Sequence, residues 1–176
     1  MIAFAYGTMG AGKSKTLIDE VCRLRKNSRT VVPAKPRNRS GIISSRDGRT
    51  IDCVNIEDMW ALPADNIVVD EVQFLTAEEV TRLSSLSKNV DISCYGLLYD
   101  YTGKKFPASE YLYNHAVFVV ELPSRCWCGK DAYANLKVNV SGLPTEDATS
   151  PSGKGNYVVV CHKHFTEKDV GPCLRV

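Results

Sequence analysis

Residues 7–14 read Gly-Thr-Met-Gly-Ala-Gly-Lys-Ser, a full match to G-x-x-x-x-G-K-[ST]. No other stretch restricts the fold as tightly. Glycines let successive backbone N–H groups turn inward around phosphate oxygens. A helix that follows directs its positive N-terminal end at the same anion. Such a turn needs a strand before it and a helix after it, and the flanks supply both. Ile2–Tyr6 is a short apolar run, and Lys13–Lys26 carries Leu17, Val21 and Leu24 at helical spacing. Residues 29–33 read as a second strand. The resulting strand–helix–strand unit implies parallel strands and a right-handed crossover.

Gly7, Thr8, Met9, Gly10, Ala11, Gly12, Lys13 and Ser14 are therefore expected to hold a nucleoside triphosphate, with ATP as the ligand. Lys13 would reach the β- and γ-phosphates, and Ser14 would offer its hydroxyl to Mg²⁺. A partner acid is needed at another strand end. The apolar run Ile67-Val68-Val69 ends in Asp70, and Glu71, Val72, Gln73 and Phe74 follow. Asp70 is expected to face the metal and Glu71 the nucleophile, as a general base. The same pair occurs in ATPases and helicases, where the Glu polarises water. The pair thus supports phosphoryl chemistry without choosing the acceptor.

The remaining pattern is strand and helix in alternation. Thr76 with Glu79 forms a capping box ahead of Val80 and Leu83. Asp91–Gly96 and residues 116–122 read as further strands, and the polar, basic stretch 36–49 reads as a mobile loop. The expected fold is α/β: a P-loop NTPase-like parallel sheet with helices on both faces over residues 1–122, plus a small zinc-ribbon-like domain over 123–176.

The second domain rests on cysteine spacing. Seven cysteines in a chain of 176 residues, an odd number with no export signal, argue against a disulfide framework. Cys22, Cys53 and Cys94 stand singly in apolar surroundings and read as core thiols. Cys126, Cys128, Cys161 and His164 form a ligand set suited to a structural Zn²⁺, with His162 as the alternative fourth ligand and Cys173 outside the set. Residues 133–140 and Asn156–Val160 read as hairpin strands, joined by a long Gly/Ser/Pro-rich loop over about 141–157. A net charge of +2 is too weak to argue for nucleic acid or an anionic membrane as partner. No apolar run approaches the ~20 residues that span a bilayer, and Met1–Tyr6 does not read as a signal peptide, so the expected address is cytoplasmic.

The order phosphate loop, Asp-Glu-x-Gln-Phe, Gly-Leu segment, cysteine cluster and Cys-x-x-His resembles the type II thymidine kinases, to about residue 165. The resemblance implies transfer of the ATP γ-phosphoryl to the 5′-hydroxyl of thymidine, or of deoxyuridine, with the nucleoside as a small-molecule partner. The alternatives are a small P-loop ATPase coupled to nucleic acid and a non-enzymatic zinc- and nucleotide-binding module. By the resemblance, Glu71 is the base for the sugar hydroxyl, and Gln73 lies near the metal and phosphates. Lys35-Pro36 with a downstream Arg assigns charge stabilisation to Arg39 or Arg37. Ser45-Arg46-Asp47-Gly48 looks like the family's Ser-His-Asp-Gly. Phe74, Tyr101 and Phe106 would line the nucleoside pocket, and the loop bearing Gly155, Asn156 and Tyr157 would wrap over the base. Leu98 stands where the family has Asp, and Ala134 where a Thr near the base methyl is often found. A homotetramer is implied by the resemblance alone.

Overall fold

The computed structural model describes residues 1–37, 41–146 and 156–172. These fall into two compact units. The first comprises Met1–Gly7, Gly12–Leu98 and Phe106–Leu122, and the second Thr8–Ala11, Tyr99–Lys105 and residues from Pro123 onward.

The first unit is built on six strands, β1 (Ile2–Tyr6), β2 (Val31–Lys35), β5 (Val54–Asn55), β6 (Asn66–Val69), β7 (Asp91–Gly96) and β8 (Phe118–Glu121). They lie in the order β5-β2-β6-β7-β1-β8, and every pair is parallel. Central strands buried on both faces need continuous apolar runs, and β6 is buried at all four positions. β7 lies between β1 and β6, with Tyr6 opposite Gly96 and Val69 opposite Cys94. The two functional strands thus end at nearly the same level, one strand apart.

Helix α1 (Lys13–Lys26) covers one face. Leu17, Ile18 and Val21 pack with Val31, Val68 and Tyr95. Burial of each such side chain is worth about 1.5–3 kcal/mol. Glu20 fixes the rotation of α1 on the sheet, accepting from Ser93 Oγ at 2.8 Å and Tyr95 Oη at 2.7 Å. The first turn of α1 carries no acid, and the last carries Arg23, Arg25 and Lys26, so the helix charges leave its positive end free for an anion. Cys22 is exposed rather than core, because it falls one residue off the buried stripe; Cys53 is half-buried and Cys94 buried.

The stretch 36–49, expected as a loop, contains part of an antiparallel hairpin, β3 (Ile42–Ser44) with β4 (Thr50–Asp52). Ile43 is fully buried in the α1 cluster and Ile51 packs against it, which outweighs the polar composition around them. The hairpin is also tied to α1 by Arg49 Nη1 to Asp19 Oδ1 at 2.6 Å. At its turn, Arg49 and the Ser45 hydroxyl hold the Asp47 carboxyl below the usual range.

Of the other helices, α2 (Ile56–Met59) precedes β6 and α3 (Ala77–Leu86) starts at the capping box, with both Thr76 and Glu79 bonds formed. Helix α4 (Pro107–His115) was not anticipated. Its buried positions include Ser109, whose hydroxyl donates to Leu97 O at 2.6 Å, so its inner face is not apolar enough to show a helical period.

The second unit pairs β9 (Ala134–Val138) with β10 (Asn156–Val160), antiparallel, and adds α5 (His162–Thr166). Its core gathers Cys126, Leu136, Val138, Val160, Cys161 and Val170. Among the described residues no helix is long and apolar enough to cross a membrane.

Candidate active site

The phosphate loop takes its shape from two glycines. Gly10 and Gly12 have φ of 81° and 82°, values that L side chains rarely adopt. Ala11 N donates to Thr8 O at 3.2 Å, and Thr16 N to Gly12 O at 2.9 Å, which carries the turn into α1. Lys13 Nζ folds back over the loop and donates to Gly7 O at 3.0 Å. Burial pushes the Lys13 ammonium down to about 8, with Asp70 and Glu71 opposing the shift and Arg46 adding to it. Arg46 sits at the tip of the β3–β4 hairpin and is therefore a second cation close enough to Lys13 to be felt electrostatically. Its signal in the sequence was the Ser-Arg-Asp-Gly turn; Ile43, packed on α1, and the Arg49–Asp19 pair anchor that hairpin.

Asp70 and Glu71 follow the tip of β6. Asp70 is buried, and Ser14 Oγ donates to its Oδ2 at 3.3 Å. Burial raises the Asp70 carboxyl; Lys35 lowers it, the Glu71 charge raises it further, and bonds from Glu71 N and Ser14 lower it. Lys35, at the end of β2, thus faces the acid pair, with its Nζ on Ile42 O at 3.1 Å. Glu71 has φ 56° and ψ 37°, left-handed and non-glycine. Such a conformation costs on the order of 1–2 kcal/mol and is typically kept where a side chain must be aimed.

Gln73 lies in the short 3-10 turn Val72–Phe74 and is buried, its Oε1 accepting from Leu97 N at 3.1 Å. That bond explains Gly96, where a Cβ would lie 2.6 Å from Gln73 Oε1. Phe74 meets Phe106 edge-on at 5.9 Å. Arg37 is ion-paired with Glu57. Arg39 and Gly155 lie outside the described residues, as does Cys173.

In the second unit Tyr101 is brought beside Lys137, whose Nζ lies 5.2 Å from the ring centroid. Tyr157, opposite Lys137 in the β9–β10 ladder, has its phenol raised by burial and by the neighbouring Tyr101. Asn156 begins β10 and is exposed. Tyr101 and Lys137 also border a cavity of about 220 Å³ with Leu136, Thr145 and Glu146. Ala134 is 1% exposed and shares the inward face of β9 with Leu136 and Val138, so the adjacent Asn135 projects from the other face.

Cys126, Cys128, Cys161 and His164 place their ligand atoms within 4.8 Å of one another. Tetrahedral zinc with Zn–S near 2.3 Å and Zn–N near 2.0–2.1 Å requires S···S of about 3.8 Å and S···N of about 3.5 Å. Cys128 Sγ lies 3.9 Å from Cys161 Sγ, and His164 Nδ1 lies 3.3 Å from Cys126 Sγ and 3.5 Å from Cys161 Sγ. The donor set therefore fits zinc. A backbone bond from His164 holds the Cys161 thiol below its usual range, while burial raises that of Cys126. Trp127 stacks on His164 at 4.4 Å. His162 instead meets Tyr133 edge-on at 5.0 Å and is not in the cluster.

The family model described as thymidine kinase matches residues 1–165. A thymidine kinase of Photobacterium profundum is 33% identical over 93% of this chain and 95% of its own length. One of Idiomarina loihiensis is 32% identical with the same coverage. Among solved structures, a DNA replication initiation factor overlaps 69% of this chain and 39% of its own, at 16% identity and a TM-score of 0.41.

Proposed function

Since the chain belongs to the thymidine kinase family, we propose that it transfers the γ-phosphoryl group of ATP to the 5′-hydroxyl of thymidine, with Glu71 as general base. The observation that carries this reading is the Ser14–Asp70 bond, which puts the start of the phosphate-binding helix against the strand tip that bears Glu71. Glu71 takes the hydroxyl proton, the freed oxygen attacks the γ-phosphorus, and ADP departs with the electrons of the broken P–O bond. Lys13 and the loop amides hold the triphosphate.

Ser14 and Asp70 would hold Mg²⁺, which when bound neutralises charge on the phosphates. Arg46 supplies positive charge from the hairpin, supported by its effect on Lys13. Arg39 keeps its proposed role in charge stabilisation, whereas Arg37 is engaged with Glu57. Gln73 acts as a support for the β7 exit, holding Leu97 N. Phe74, Tyr101, Phe106, Gly155, Asn156 and Tyr157 are assigned to nucleoside binding by the family resemblance. The Cys126, Cys128, Cys161 and His164 set holds a structural zinc. Assembly as a homotetramer follows from the resemblance alone, and a cytoplasmic address from the sequence reading.

The test is Glu71→Gln, assayed with labelled ATP and thymidine beside a nucleotide titration. Loss of roughly 10²–10⁴-fold in turnover with ATP binding kept is expected for a general base. Turnover within a fewfold of the parent would remove Glu71 from the mechanism.

A further inference from the structure

The front half of the phosphate loop, Thr8–Ala11, belongs to the same compact unit as the Cys/His module. Two side chains of that unit hold it. Asn135 Oδ1 accepts from Met9 N at 2.8 Å. Ser124 Oγ lies 2.5 Å from Thr8 Oγ1, a bond in which either hydroxyl can donate.

Both contacts start from residues fixed by the module. Ser124 is at the foot of the cysteine turn: its carbonyl accepts from Ala132 N at 2.9 Å, Cys126 N donates to Lys130 O at 2.9 Å, and Gly129 N to Cys126 O at 2.8 Å. Asn135 sits on β9, whose alternate residues Leu136 and Val138 pack in the core with Cys126 and Cys161. Alternation along the strand therefore directs Asn135 away from that core, and it is 3% exposed. A buried amide is retained where it is hydrogen-bonded, and this one caps a backbone N–H inside the phosphate loop.

We infer that Asn135 and Ser124 are positioning residues that hold Thr8 and Met9, and so make the affinity of the loop for the donor nucleotide depend on the folded Cys/His module. The inference rests on the reading of Gly7–Ser14 as the ATP-binding loop. With Met9 N–H committed to Asn135 and Ala11 N–H to Thr8 O, neither amide faces phosphate, and the loop binds it through others. Without the two contacts, the loop would sample other conformations, and binding a triphosphate would have to restore order first.

The experiment uses the full chain with its metal in place and two variants, Asn135→Leu and Ser124→Ala. Three quantities are read: Kd for ATP by direct titration, KM for ATP against KM for thymidine, and amide hydrogen exchange of residues 7–12. The expected result is a Kd for ATP weaker by roughly fivefold per lost contact, the equivalent of one neutral hydrogen bond. Exchange at Met9 should be faster, and the change in KM for ATP larger than that for thymidine. Unchanged ATP affinity in both variants overturns the inference. If Asn135→Leu loses its metal or fails to fold, Ser124→Ala alone decides by the same criteria. Failure of the underlying reading looks different: the parent protein itself would bind no ATP.

Discussion

Ser14 Oγ lies 3.3 Å from Asp70 Oδ2, joining the first turn of α1 to the residue that follows β6 across 56 positions of sequence. The contact spans the end of β7 and brings a hydroxyl and a carboxylate to one point. Asp70→Asn should raise the Mg²⁺ concentration for half-maximal turnover by roughly 10- to 100-fold, as for partners that orient a metal site. Ser14→Ala should act in the same direction, and the double variant should lose less than the sum of the two. Magnesium titrations of the four proteins check this; additive losses would mean that the two groups act separately.

Lys13 provides a pH dependence with a definite sign. Its ammonium is pushed down to about 8 by burial. A bound triphosphate favours the charged form. Well below pH 8 the lysine is already protonated and binding needs no proton. As pH rises through that value, the free protein loses the proton and binding must recover it. ATP affinity should then fall by up to roughly tenfold per pH unit. Calorimetry in buffers of different ionisation enthalpy should show proton uptake only on the alkaline side. The unliganded protein behaves oppositely. The unfolded chain keeps this proton up to the ordinary lysine value of 10.5, so its contribution to stability rises with pH from about 8.

Gly96 has no space for a side chain. A Cβ there would meet Gln73 Oε1 at 2.6 Å and Val72 Cγ2 at 2.8 Å. Gly96→Ala must push Gln73 off Leu97 N or shift β7, and should cost about 1–3 kcal/mol. Urea unfolding measures the loss. Because Glu71 is two residues from Gln73, turnover should fall in the folded variant too.

The metal cluster separates two histidines. Cys161→Ser and His164→Ala should each leave less than ~0.5 zinc per chain, whereas His162→Ala should retain the full complement, since His162 packs on Tyr133. Elemental analysis decides. Loss of zinc in the His162 variant would reassign the fourth ligand.

Much of the fold was legible because it rests on local chemistry. Residues 2–6 and 13–26 were readable to the residue, since a full phosphate-loop motif dictates a strand before it and a helix after it. Thr76 and Glu79 announced their helix because both halves of a capping box lie within one turn. The β3–β4 hairpin and α4 were not legible. Ile43 and Ser109 owe their burial to a distant helix and a distant carbonyl, and polar neighbours hide the periodicity.

Sequence alone determined which atoms are available: a glycine turn ending in Lys-Ser, an acid pair after an apolar strand, and a thiolate–imidazole set. Backbone conformation and donor chemistry fix these within a few residues. Tertiary structure alone decided which side chains meet them. Arg46 came to Lys13, Asn135 to Met9 and Gln73 to Leu97. Those choices depend on strand order, on which face of a strand a residue occupies, and on the packing of segments far apart in the chain, and no local pattern encodes them.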